Sequence, residues 1–263
     1  MAAPLPTIAA MTDQPETVAR ITTATGTISI TRDRAGGVLR YELEGWGQSS
    51  ADNKGTSLAS YIHAIFGLLH QTRAQDILLI GCAGGTLATM LARAGRAPVL
   101  VDIDPVSFDL ARTHFHLPDS VPCHAADGEA FLRDTKRAWD AIVLDAFVGK
   151  EIPPHLQTPD FFALARGRLT PGGAIFANVH VKHDFDDTAD LVAKAMKTAF
   201  AEVRLLDALG VIDRSAIVMA GGVEALRPPR LVAKPRVQAD RIAKELSRLD
   251  FRPWKAARWD FGR

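Results

Sequence analysis

Asp76–Pro105, DILLIGCAGGTLATMLARAGRAPVLVDIDP, decides the fold of this chain. Asp76–Ile80 is a short apolar run with strand character. Gly81, Gly84 and Gly85 follow it as a turn in which backbone bends tightly and comes close to something else. From Thr86 to Ala94, Leu87, Met90 and Leu91 recur at helical spacing, and Gly95 stops the helix. Pro98–Val101 is a second apolar run. Asp102 stands at its carboxyl end, 17 residues after Gly85. Strand, glycine turn, helix, strand and acid form the unit of an open parallel sheet, where ligands bind beyond the carboxyl ends of the strands. The glycines admit a ligand close to backbone, and a carboxylate at the next strand end suits the two hydroxyls of a ribose. The turn Gly81-Cys82-Ala83-Gly84-Gly85 lacks the spacing of the dinucleotide fingerprint. An adenosyl-sulfonium cofactor has no pyrophosphate to cradle and tolerates this looser turn. An ordinary strand–helix–strand turn without a ligand is the competing reading.

Composition sets the frame. The chain has 263 residues, 47% hydrophobic and 23% charged, as in globular domains. Cys82 and Cys123 are its two cysteines, and they offer neither a disulfide framework nor zinc spacing, which fits a reducing cytoplasm. No apolar run reaches the ~18 residues of a membrane span. The first ten residues are apolar but lack a basic flank, which speaks against a signal peptide, and Met11 is an alternative start. The net charge of +1 hides an asymmetry: residues 227–263 hold 11 Lys/Arg and 4 Asp/Glu. Such a tail suits a solvated surface or a partner for the acidic body. The aromatic–basic repeats of an RNA-binding surface are missing, so nucleic acid is not the expected partner.

Four segments are expected. Residues 1–17 are Pro/Thr/Ala-rich and expected to be mobile. Residues 18–56 form a small β region, a hairpin of Thr25–Thr31 and Val38–Glu44 about the turn cluster 32–37. Such a hairpin is marginal alone and compatible with a homodimer. Residues 57–222 form the ligand-binding α/β domain, and residues 223–263 a basic tail with a helix. Gln48, between glycines just past a strand, is either an amide aimed into the site or a loop glutamine. In the helix Ser57–His70, Tyr61 and His63 either reach the site or are a core tyrosine and a surface histidine. Asp127, before Gly128, is a helix N-cap, an adenine contact, or both. Trp139–Asp145 is a buried strand ending in Asp145. The loop Ala146–Thr158 is long enough for a lid. His155 and His180 are alternative bases near strand ends, or plain loop residues. The whole predicts a doubly wound, mostly parallel seven-stranded α/β sheet with a small N-terminal β-hairpin piece.

The order Gln48, IGCAGGTL (80–87), VDIDP (101–105), ADGEAFL (126–132), WDAIVLD (139–145) and LTPGG (169–173) resembles spermidine synthases, the polyamine aminopropyltransferases, and their spermidine synthase-like relatives. The segment DAFVGKEIPPHLQT (145–158) also looks like that branch, and the resemblance runs from Gly26 to Gly221. It implies the S-adenosylmethionine-dependent methyltransferase fold (Rossmann-like). It also implies transfer of an aminopropyl group from decarboxylated S-adenosylmethionine to a small-molecule amine, without a metal. By the same resemblance, Gly81, Gly84 and Gly85 hold the methionine-derived part of the cofactor, and Asp102 takes the ribose. Asp127 and Gly128 lie at the adenine, Gln48 on the cofactor side, and Asp145 is the base toward the amine. The chain departs from the family in three places. Ala83 stands where many members carry an acid, Val148-Gly149 replaces Asp-Pro, and Tyr61-Ile62-His63 replaces Tyr-His-Glu. Three polar contacts to an amine are thereby lost, and Asp52, Glu151 or Asp184 would have to serve its far end. Two alternatives follow: a methyltransferase using S-adenosylmethionine on some other small nucleophile, and a non-catalytic adenosyl-binding module.

Overall fold

The computed structural model describes residues 15–33 and 37–255. The expected mobile stretch up to residue 14, the centre of the turn cluster and the tail beyond 255 lie outside the described residues. Two sheets make up the fold. The smaller contains β1 (Glu16–Thr23), β2 (Gly26–Arg32), β3 (Leu39–Leu43) and β4 (Trp46–Ala51), antiparallel in that order. The chain thus has a four-stranded meander where the sequence predicts a two-stranded hairpin. β1 begins at Glu16, inside the stretch expected to be mobile, and Gln48 lies on β4 rather than in a loop. β1 and β4 escape sequence reading because their faces are mostly solvated, and Gly47, Ser49 and Ser50 carry no apolar alternation.

The larger sheet has eight strands in the order β12-β10-β11-β9-β8-β5-β6-β7. They are β5 (Asp76–Ile80), β6 (Ala97–Asp102), β7 (Cys123–Ala125), β8 (Trp139–Leu144), β9 (Leu169–Val181), β10 (Val203–Asp207), β11 (Arg214–Gly221) and β12 (Asp250–Arg252). β7, β6, β5, β8 and β9 pair in parallel, and β11, β10 and β12 follow antiparallel. Seven strands were expected; the eighth, β12, is a three-residue edge strand with no apolar run to announce it.

Among the described residues, seven α-helices flank the sheet: α1 (Ser60–Gln71), α2 (Thr86–Arg93), α3 (Val106–Phe115), α4 (Gly128–Asp134), α5 (Pro159–Arg166), α6 (Thr188–Lys197) and α7 (Ala239–Leu246). Strand alternation divides the core. Ile77 and Leu79 face Ile65, Leu91 and Ile242 on the side of α1, α2 and α7, while Leu78 and Ile80 face Leu132, Phe161 and Val192 on the side of α4, α5 and α6. The fold is therefore doubly wound. The meander closes a third cluster in which Ile28, Ile30 and Tyr41 pack on Leu110 and Phe115 of α3. That packing sets the meander over the carboxyl ends of β5 and β6. No helix among the described residues is long and apolar enough to cross a membrane.

Candidate active site

The strand ends of β5, β6 and β8 are locked by backbone. The amide of Gly81 donates to Val101 (2.8 Å), that of Asp145 to Ile80 (2.8 Å), and that of Ala126 to Asp102 (2.9 Å). Gly81 has φ +105°, and a Cβ there would lie 2.2 Å from the Asp145 carbonyl oxygen, so only glycine fits between the two strand ends. Gly85, at φ +60°, starts α2. A Cβ on Gly84 would meet Ser49 and Phe115. Above the strand ends opens a cleft of about 270 Å³ lined by Gln48, Gly81, Asp102, Asp127, Gly128, Asp145 and His155, among others.

Both oxygens of Asp102 are engaged, one accepting from the Cys82 amide (2.7 Å) and one from the Asp104 amide (2.8 Å). Burial pushes its carboxyl up while those amides pull it back. Each carboxylate oxygen has a second lone pair, so the group keeps acceptor capacity toward two hydroxyls. Asp127 caps α4 through the amides of Glu129 and Ala130 (3.0 Å each). Its other oxygen meets His155 Nε2 at 2.7 Å. Burial raises the Asp127 carboxyl, but those amides and His155 outweigh it and hold it low. The loop after β8 is thus tied to the cleft at two points, since Gln48 Nε2 also donates to the Gly149 carbonyl at 3.4 Å.

Asp145 is the most perturbed carboxyl. Burial lifts it from 3.8 to about 7, against the pull of two donors, Asn178 Nδ2 (2.8 Å) and the Tyr61 hydroxyl (3.4 Å). Burial and the adjacent carboxylate push the Tyr61 phenol well up, so it remains a donor. A buried carboxyl poised near neutrality in a cleft has the properties of a general base.

Of the four candidate substrate-side residues, His155 lines the cleft, and Tyr61 lines a small pocket that shares Gln48, Gly81 and Asp145 with it. His63 lines neither: it is 1% exposed, turned inward, with Nε2 2.7 Å from the Ser57 carbonyl. Two residues from Tyr61, about 200° round the helix, His63 points to another side of α1. His180 ends β9 but pairs with Asp213 at 3.3 Å, outside the cleft lining. Two residues were missed. Asp104, 7% exposed, lines the cleft and accepts from Thr25 Oγ1 of the β1–β2 turn (2.6 Å), fastening the meander to the site. Burial raises its carboxyl, and bonds from Thr23, Thr25 and the Val106 amide more than reverse this. Asn178, 2% exposed, holds Asp145. VDIDP displays Asp104 openly, whereas nothing local marks Asn178. Among the described residues, no three His, Cys, Asp or Glu side chains group as a metal site.

A doubly wound sheet with an antiparallel β9–β11–β10 edge and a glycine turn facing an acid on the next strand defines the S-adenosylmethionine-dependent methyltransferase class of fold. Solved structures refine this. A probable spermidine synthase from Corynebacterium glutamicum superposes with TM-score 0.74 at 19% identity, over 90% of each chain. Spermidine synthase from Thermotoga maritima gives 0.63 at 17% identity, over 87% of this chain and 83% of that one. Among curated proteins, the polyamine aminopropyltransferase of Vibrio vulnificus is 32% identical over 119 residues, 43% of this chain and 40% of that protein. That of Chromobacterium violaceum is 34% identical over 125 residues, 45% of this chain and 48% of that one. An N-terminal histidine N-methyltransferase of Emericella nidulans is 28% identical over 212 residues, 72% of this chain and 38% of that protein. The matches span less than half the length of these curated relatives. No protein-family model matches the chain. In fold and in sequence the protein is spermidine synthase-like.

Proposed function

We propose that the protein is a transferase that moves an aminopropyl group from decarboxylated S-adenosylmethionine to an amine. The observation that carries this is Asp145: a carboxyl lifted to about 7, held by Asn178 and Tyr61, at the rim of a cleft floored by a glycine turn. In this reading the turn Gly81–Gly85 would hold the sulfur-bearing arm and Asp102 the ribose hydroxyls. Asp127 and Gly128 would take the adenine edge, and Gln48 would hold the cofactor side of the loop. The acceptor arrives as an ammonium, is drawn to Asp145, and loses a proton to it. The amine lone pair then attacks the propyl carbon bonded to the sulfonium. The new C–N bond forms as the C–S bond breaks, and the bond pair returns to sulfur as neutral methylthioadenosine. The sulfonium is already activated, so alignment and deprotonation are what the chain must supply. The free thiols Cys82 and Cys123 are compatible with a reducing compartment, and we place the protein in the cytoplasm.

The test is calorimetric binding of decarboxylated S-adenosylmethionine, S-adenosylmethionine and methylthioadenosine, followed by mass detection of methylthioadenosine released with an amine. Tight binding of the decarboxylated form and turnover lost at least ~100-fold in Asp145→Asn support the reading. Preference for intact S-adenosylmethionine, with methyl transfer, replaces it by the methyltransferase alternative. Binding of neither by folded protein overturns both.

A further inference from the structure

None of the acids that the sequence offers for the far end of a diamine, Asp52, Glu151 and Asp184, lines the cleft. A diamine carries a second ammonium, yet the acids within reach by sequence are spent elsewhere. Asp52 is 1% exposed and accepts from the amides of Lys54, Thr56 and Arg236. Asp184 is held by Arg214 (3.1 Å) and the Gly210 amide. Asp213 is shared by Lys150 (3.2 Å) and His180 (3.3 Å). Glu151 is exposed and lines none of the cleft.

Cations fill that side instead. Behind Tyr61 a groove of about 360 Å³ runs between α1, the β10–β11 turn and α7, lined by Tyr61, Asp213, Arg214, Arg241, Glu245 and Arg248 among others. Arg214 is 7% exposed and consumed by Asp207 and Asp184. Arg241 is fixed by Glu245 (2.8 Å) and by the Leu58 carbonyl (2.6 Å), with its side chain 44% exposed. Arg248 is exposed, and its guanidinium has no hydrogen-bond or ion-pair partner among the described residues. Tyr61 stands between the groove and Asp145: it borders the groove, and its hydroxyl donates to Asp145 at 3.4 Å. At the rim, Lys150 of the loop after β8 donates to Asp213 of the groove.

We infer that this groove is the acceptor's second subsite and that it takes an anion. The acceptor is then an ω-amino carboxylate, its amine on Asp145 and its carboxylate toward Arg241 and Arg248, rather than a diamine. The inference rests on the proposed transfer and adds the identity of the acceptor. A second ammonium in the groove would meet an unpaired guanidinium, while a carboxylate gains charge-assisted hydrogen bonds from planar donors. Preference for one end group over the other is a difference of affinities built partly from repulsion.

The experiment uses the full chain with decarboxylated S-adenosylmethionine and three acceptor sets: ω-amino acids of three to six carbons, diamines of matching length, and n-butylamine. The best ω-amino acid is expected to exceed its matching diamine at least tenfold in kcat/KM. In Arg248→Glu, where the side chain replaced has no hydrogen-bond or ion-pair partner among the described residues, the ratio of ω-amino acid to n-butylamine kcat/KM falls at least tenfold, and Arg241→Gln lowers it further. Binding of the same acceptors to the protein saturated with methylthioadenosine is measured alongside. A diamine preferred over every ω-amino acid, ratios unmoved by Arg248→Glu, or no saturable binding of any ω-amino acid overturns the inference. Failure to bind decarboxylated S-adenosylmethionine at all is a separate result and sinks the transferase reading.

Discussion

Asp145 and Asn178 show how one side chain sets another's chemistry. Asn178 donates to the carboxylate and lowers its affinity for protons, against the larger effect of burial. Asn178→Ala removes a bond to a charged group worth roughly 1.5–3 kcal/mol, so the carboxyl rises above about 7. The ascending limb of the pH–rate profile is expected to move to higher pH, with activity at pH 7 down by about tenfold; an unshifted limb would mean that another group titrates there. Burial of Asp145 also has a stability consequence with a definite sign. Its folded pKa lies above the ordinary 3.8, so the favourable contribution is present below that value and is lost as pH rises through about 7. Asp145→Asn should therefore leave stability unchanged near pH 3.5 and raise it near pH 8, by on the order of 2–4 kcal/mol at most, since one pKa unit is ~1.36 kcal/mol. Thermal melts of both proteins across that range check it. A variant that loses turnover and gains stability is the expected signature of a strained functional group.

At the scale of elements, the close approach of the carboxyl ends of the parallel neighbours β5 and β8 decides whether the site exists. Gly81→Ala would set a methyl 2.2 Å from the Asp145 carbonyl at a φ of +105°. Backbone that L side chains rarely adopt costs roughly 1–3 kcal/mol, and relieving the clash adds to it. The expected loss in urea denaturation is about 3 kcal/mol, with cofactor binding lost besides. Much of this layout was legible from the chain. The apolar runs 76–80, 97–102 and 139–144 are buried strands whose composition cannot serve any other element, and the acids at their ends follow from the strand direction. What escaped depends on tertiary contact. β4 carries Gly47, Ser49 and Ser50 and is a strand only because β3 pairs with it. Gln48 is consequently held on a strand, and His63 is buried on α1 with Nε2 2.7 Å from the Ser57 carbonyl. Asn178 sits mid-strand in β9 and gains its role from a neighbour 33 positions away.

Across the whole molecule, the basic C-terminal region closes the fold over its acidic body. β12 adds only three residues to the sheet edge, too few to hold by backbone pairing alone. Its anchor is Arg252, which reaches Asp190 (2.7 and 3.0 Å) and Asp207 (2.8 Å), the latter also bound by Arg214 at 2.6 Å. Arg204 stacks 3.5 Å from the Phe251 ring and ties the carbonyls of Val223 and Leu226. Basic residues of the tail are thus spent on internal partners, which accounts for part of the charge asymmetry without an external polyanion. Asp190 and Asp207 are each 2% exposed, so removing Arg252 takes a guanidinium from two carboxylates in a poorly solvated place, while Arg214 stays on Asp207. Breaking a buried pair from one side typically costs roughly 3–5 kcal/mol. Arg252→Ala is expected to destabilise the protein by up to that amount at pH 7 and by less in acid, once the pH falls far enough to protonate Asp207, whose carboxyl its arginines hold below the usual range. If instead the loss were the same at pH 7 and in acid, packing of the Arg252 stem rather than its charge would be what holds β12, and the tail would stabilise the sheet edge as an apolar strap.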